Sequence, residues 1–169
     1  MTRSGPCSHG PCRVRSQALP ELDLERDDGE RVVRVADPAA LVTDTHPLLF
    51  HAAGGGRLGR RGAAHFAACE RREALTYVPA AVVWEVSFLT RVGKVRLGRP
   101  VRDFFTDLFS NPAYQPVDLT PEQVYLADEA RPNEDPFDAL VLAAARTLGL
   151  PLLTRDTDLQ ACDLARTVW

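Results

Sequence analysis

Short apolar runs alternate with longer amphipathic tracts from residue 40 onward, and this alternation restricts the fold more than any other feature of the chain. The runs are Ala40–Thr43, Leu75–Val78, Tyr114–Leu119 and Leu150–Thr154, each of strand length. Between them lie tracts of helix length. His46–Ala53 is broken by Gly54-Gly55-Gly56, and residues 59–73 resume the helical period. Ala80–Val92 carries the stripe Val83, Val86, Leu89, Val92. Residues 100–110 open on a proline, as a first helical turn allows. Thr120-Pro121-Glu122-Gln123 is a capping pattern for 120–130. Residues 135–148 form the strongest helical tract, stopped by Gly149, and Thr167–Trp169 reads as a last strand. Strands alternating with helices predict an α/β fold, three-layered α/β/α, with a central, mostly parallel sheet. Sites in such folds lie beyond the carboxyl ends of the strands.

The regular pattern spans residues 39–169. Residues 1–38 read as an N-terminal extension, either a short hairpin around Asp28-Gly29 or a solvated linker. Cys7, His9 and Cys12 are close enough to suggest zinc, but the next cysteine is Cys69, and a structural zinc needs four ligands. A flexible tail is the simpler reading. At 45% hydrophobic and 25% charged residues, the composition is that of an ordinary globular protein. No apolar run approaches the ~20 residues of a membrane span, and the N-terminus lacks a secretory h-region. A cytoplasmic protein with reduced cysteines and no membrane association is expected. The net charge of −3 hides an asymmetry: residues 57–102 hold 10 basic and 3 acidic groups, residues 103–169 hold 4 basic and 12 acidic.

The strand-end rule directs attention to acids. Asp44 follows the first strand and Asp156 the fourth. Glu85 and Asp138 lie in the first turns of helices that open onto the same sheet edge. Each has an ordinary alternative: Asp44 as a helix N-cap, Asp135-Pro136-Phe137-Asp138 as cap chemistry, and Asp156 and Asp158 as turn residues. Glu85 is harder to dismiss, because VVWEVSFL is otherwise apolar. A desolvated carboxylate needs a counter-charge, either an arginine such as Arg91 or a cation. Four gathered acids repel one another, and a divalent ion is the simplest compensation. All-oxygen ligation selects Mg²⁺ or Mn²⁺. His46, His51 and His65 read as water-exposed rather than as bases. No nucleophile elbow, Walker A loop or dinucleotide fingerprint is present, and Gly54–Gly56 reads as a hinge.

These residues resemble the PIN-domain ribonucleases and, among them, the VapC-type toxins of type II toxin–antitoxin pairs. LVTDTHPLLF (41–50) is similar to the family's opening strand with its first acid. PAAVVWEVSFLTRVGKVRL (79–97) resembles the second motif, with Glu after Trp. EDPFDALVLAAARTLGLPLLTRD (134–156) resembles the third and fourth motifs, and the final TVW the last strand. The resemblance covers residues 40–169. It implies that Asp44, Glu85, Asp138 and Asp156 are catalytic metal ligands, with Asp135, Thr154 and Asp158 as accessories. Thr154 would hold a water or a carboxylate. The sequence departs from the family at Ala139, where many members carry Arg, and in its 38-residue extension.

The resemblance implies an Mg²⁺- or Mn²⁺-dependent endoribonuclease acting as the toxin of a toxin–antitoxin pair. Its partners would be an RNA substrate, a VapB-like antitoxin and a second copy in a homodimer. Arg57, Arg60, Arg61, Arg91 and Arg96 are the candidate RNA contacts, within a basic segment that also includes Arg71, Arg72, Lys94, Arg99 and Arg102. Trp84, Phe88, Phe104, Phe105 and Phe109 are expected to be mostly core, with some lining a groove for an antitoxin helix. The alternatives are a PIN-type nuclease outside any toxin system, or a catalytically silent PIN-like module that binds RNA or protein.

Overall fold

A computed structural model of the chain describes residues 38–169. The hairpin expected around Asp28-Gly29 and the Cys7, His9, Cys12 group lie outside the described residues. In chain order the elements are β1 (Ala40–Thr43), α1 (Thr45–Ala52), α2 (Arg60–Glu70), β2 (Leu75–Pro79), α3 (Ala80–Arg91) and α4 (Val101–Ser110). There follow β3 (Tyr114–Val117), α5 (Pro121–Ala130), α6 (Pro136–Leu148), β4 (Leu152–Leu153), α7 (Thr157–Ala161) and β5 (Thr167–Val168).

The five strands form one sheet in the order β3-β2-β1-β4-β5, and every neighbouring pair is parallel. Helices flank it: α2 and α3 pack on β2, α4 on β3, and α6 on β1. The central strands are apolar on both faces, as a covered parallel sheet requires. Leu41, Val42, Leu152 and Leu153 have no exposed surface, and neither do Val141 and Leu142 of α6. Pro116 lies in β3, which is an edge strand, the place in a sheet where a missing N–H is tolerated.

Local chemistry sets the helix ends. Thr120 and Gln123 form a reciprocal capping box on α5. Asp135 caps α6 ahead of Pro136, and Gly149 ends it in the left-handed region at φ 64°. One helix escapes the apolar periodicity: α7 is only five residues long, and its start, Asp156, reads in sequence as a turn residue. The Asp156 carboxylate accepts from the Asp158 and Leu159 amides, so the residue is a helix cap.

A Cβ at Gly149 would meet nothing within 4 Å, so a substitution there costs conformational energy alone. Gly149→Ala is expected to lower stability by about 1 kcal/mol, read as a shifted urea midpoint with an unchanged slope. An unchanged midpoint would contradict this account of the helix end.

Candidate active site

The strand order reverses between β1 and β4: from β1 the chain winds outward to β2 and β3, then crosses back to β4 and β5. Such a switch point leaves a crevice outside the carboxyl ends of the two strands. Asp44 follows β1 there, and Thr154, Arg155 and Asp156 follow β4. Thr43 pairs with Leu153, so Asp44 and Thr154 come next on adjacent strands. The Asp44 amide donates to the Leu153 carbonyl at 3.0 Å.

Asp44 is buried, at 2% exposure. One carboxylate oxygen accepts from the Thr45 amide at 2.5 Å, at the start of α1, and the other from the Thr154 hydroxyl at 2.8 Å. The Thr154 oxygen in turn accepts from the Asp156 amide at 3.0 Å. Thr45 reaches the opposite way: its hydroxyl donates to Glu85 Oε2 at 2.5 Å. Asp44 is thus the middle of a polar chain that joins β4, α1 and α3.

Glu85 is half-buried on α3, and its partner is Thr45 rather than an arginine. The alternative pairing with Arg91 does not occur; that guanidinium lies over the Trp84 and Phe88 rings at 5.4 and 5.9 Å. Asp138, in the first turn of α6, accepts from the Asn133 side-chain amide at 2.7 Å. The Asn133 carbonyl oxygen accepts from the Asp135 backbone at 2.8 Å, which fixes the loop before the helix. Asp135 accepts from the Phe137 amide at 2.8 Å, and Asp158 lies exposed in the first turn of α7. Sequence reasoning missed Thr45 and Asn133. The signal for Thr45 was its place directly after a strand-end acid; for Asn133 it was an amide side chain just before an Asp-Pro cap.

Electrostatics tie the acids together. Burial raises the Asp44 carboxyl above its usual range, nearby Asp156 adds to this, and the Thr154 and Thr45 hydrogen bonds oppose it. Glu85 is raised by burial, with Asp44 and Asp135 reinforcing and Thr45 opposing. Asp138 is pushed up from 3.8 to about 6, first by burial, then by Asp44, Asp135 and Asp156, against the Asn133 hydrogen bond. A positive ion would relieve all three shifts.

The donors are of the right kind for a hard divalent ion: carboxylate oxygens only. Among the described residues, one oxygen each of Glu85, Asp138 and Asp156 carries no hydrogen bond. No three His, Cys, Asp or Glu side chains among those residues already stand in a group that could clasp an ion. The fit to such an ion is thus one of donor chemistry and not of a formed cage, and the unbonded oxygens are the ligands it would take.

The remaining candidates fall in different places. Arg57, Arg60, Arg91 and Arg96 are exposed, and Arg61 is half-buried. Arg71 pairs with Glu73, and Arg99 with Asp107. His46 is exposed, but His65 is buried against the Thr76 hydroxyl at 3.0 Å, contrary to the exposed reading. The local apolar pattern could not reveal that a polar strand residue waits opposite it. The aromatic group also divides: Phe104 and Phe105 are core, whereas Trp84 is 56% exposed and Phe88 39%. No helix among the described residues is long and apolar enough to cross a membrane.

The folded Asp138 binds a proton between pH 3.8 and about 6 that the unfolded chain has already released. Its contribution to stability is complete below that window and is lost as the pH rises through it. In a chelator, Asp138→Asn is expected to raise Tm at about pH 7.5 and to flatten the Tm profile across the window. Profiles that superimpose for both proteins would refute the assignment.

A family model described as the PIN domain matches residues 42–164. Among curated proteins none matches. Solved structures share the fold, among them the following two. VapBC2 from Rickettsia felis bound to a DNA fragment from its promoter aligns with TM-score 0.57 at 10% identity, covering 76% of this chain and 97% of that one. A toxin–antitoxin complex from Klebsiella pneumoniae aligns with TM-score 0.51 at 17% identity, covering 76% and 96%.

Proposed function

This chain belongs to the PIN-domain family, and from that premise we propose that it is a metal-dependent endoribonuclease, the toxin of a toxin–antitoxin pair. The observation that carries the reading is the convergence of Asp44, Glu85, Asp138 and Asp156 on one edge of the sheet, with three of them raised in pKa by burial and mutual repulsion.

Glu85, Asp138 and Asp156 would hold Mg²⁺ or Mn²⁺ through their unbonded oxygens, with Asp44 beside them. A bound ion supplies activation of the attacking water and neutralises charge developing on the phosphate. Thr154 and the Thr45 amide fix the Asp44 carboxylate from both sides, so it enters the reaction already oriented. Thr45 does the same for Glu85, and Asn133 for Asp138. Asp135 caps α6 beside this set, and Asp158 stands exposed in the first turn of α7. No side-chain nucleophile is needed, and the exposed His46 lowers the cost of carboxylate charge on Asp44 and Glu85.

The toxin reading has separate support. Both aligned structures are described as toxin–antitoxin assemblies or by the VapBC name. Between α3 and α4 lies an apolar groove of about 390 Å³, lined by Val83, Ser87, Val101, Arg102, Phe105 and Phe109 among others. Its size and lining suit the apolar face of a VapB-like antitoxin helix. A homodimer and a cytoplasmic setting belong to the same proposal.

With Mg²⁺, the protein is expected to cut single-stranded RNA. Asp44→Asn and Glu85→Gln should each slow cleavage by about 100-fold or more, with far-UV spectra unchanged, and chelation should stop it. Induced alone in cells, the wild type should arrest growth and the two variants should not. Cleavage that persists in chelator would overturn the metal mechanism; harmless wild type would overturn the toxin role.

A further inference from the structure

We propose that Phe50, with Arg57 and Arg155 packed against its ring, is the contact that holds a single-stranded RNA substrate beside the acids; the proposal rests on the nuclease reading above. The Arg57 and Arg155 guanidinium carbons lie 5.9 and 5.5 Å from the ring centroid. Trp169 meets the same ring edge-on at 6.4 Å, and His46 approaches it at 6.1 Å.

Position is the first reason. Arg155 directly follows Thr154, the residue bonded to Asp44, and directly precedes Asp156. Trp169 follows β5, parallel to β4 and next to it. The patch therefore lies on the same carboxyl edge as the acids, displaced toward the β5 side. His46 and Phe50, one turn apart on α1, connect the two regions. Trp169 is held closely: a Cβ on Gly59 would come 2.5 Å from its carbonyl carbon.

Charge is the second reason. Arg57 and Arg155 are exposed, and among the described residues neither has an acidic partner. Arg71, Arg99 and Arg131, by contrast, are paired with Glu73, Asp107 and Asp128. A guanidinium resting on a ring is attracted by the negative face of the ring's quadrupole. That contact restrains the side chain but uses none of its N–H donors. The donor fork stays available for bidentate contact with a phosphate.

The aromatic surfaces select the strand state. Stacking on Trp169 or on the guanidinium planes that Phe50 supports needs the open face of a base, which a paired duplex does not present. Arg91, a second ring-supported arginine, closes the twelve-residue α3, six residues and so ~9 Å along the helix axis beyond Glu85, whereas Arg155 stands directly between Thr154 and Asp156.

The test uses full-length Glu85→Gln protein, which should bind without cutting, and a labelled single-stranded RNA read by fluorescence anisotropy between roughly 50 and 300 mM salt. Adding Arg57→Gln or Arg155→Gln singly should each make the log Kd–log salt slope shallower by about 0.7, and both together by about 1.4. Phe50→Leu should weaken binding with a smaller change of slope, and duplex RNA should compete poorly. Melting curves confirm that each variant is folded. In the cutting-competent background, the double Gln variant should raise KM more than it lowers kcat. An unchanged slope in a protein that still cuts RNA would overturn this proposal alone, as would equal competition by duplex. Lost antitoxin affinity with an unchanged RNA slope would overturn it too, assigning the patch to the protein partner. A wild type that neither binds nor cuts RNA would remove the nuclease reading, and this proposal with it.

Discussion

Parallel pairing of β1 with β4 is the constraint from which the rest of the site follows. Thr43 lies opposite Leu153, so the next residue on each strand meets its counterpart just beyond the last apolar pair. That step turns Asp44 and Thr154 into hydrogen-bond partners. A slip of one residue would send every side chain of a strand to the opposite face. Leu41, Val42, Leu152 and Leu153, all without exposed surface, oppose such a slip because each would lose its packing. The apolar core therefore specifies the position of the Asp44 carboxylate at the strand end. It also closes the chain's return from β3 at the one place where an open crevice is left.

The acids are an expensive consequence of that architecture. Asp44, Glu85 and Asp138 are each raised in pKa, with burial as the largest cause in every case. A sequence chosen for stability alone would place neutral groups there. The fold offsets part of the cost locally, with Thr45, Thr154 and Asn133 each donating to one carboxylate. These donors also fix rotamers. Compensation and preorganisation are therefore performed by the same hydrogen bonds, and local disagreement with burial rules is what a functional site is expected to show.

The elements most legible in the sequence were those with local causes. Thr120, Asp135 and Gly149 announce helix ends because capping needs only neighbours in the chain. β1 and β2 were legible because strands buried on both faces are apolar runs bounded by polar residues. The losses have equally physical origins. At five residues, α7 is too short to show a period. Burial of His65 depends on Thr76, eleven positions away and on another element. The apolar setting of Glu85 implies a partner, either an arginine or a cation; among the described residues a threonine hydroxyl donates to it, which no local pattern around Glu85 announces. The stripe Val83, Val86, Leu89, Val92 read for α3 leaves out the buried Val82 and includes Val92, which is 48% exposed, because apolar residues lie on most of the helix circumference and blur its inner face.

Net charge is a poor guide to this surface, and the structure explains why. Within the arginine-rich segment from 57 to 102 some arginines are ion-paired and others are not, and Arg99 combines an acid with a ring, Phe104, at 5.4 Å. Arg71 and Arg99 lean on acids of the same surface, so their field is largely cancelled before any ligand arrives. Arg57 leans on an aromatic ring, as does Arg155 from the acidic half of the sequence. A ring restrains a guanidinium without neutralising it. What a polyanion meets is therefore set by the support each arginine rests on, more than by the count of charges in a window. This places the positive charge of Arg155 beside Asp156, in a half of the sequence where simple summation finds only net negative charge.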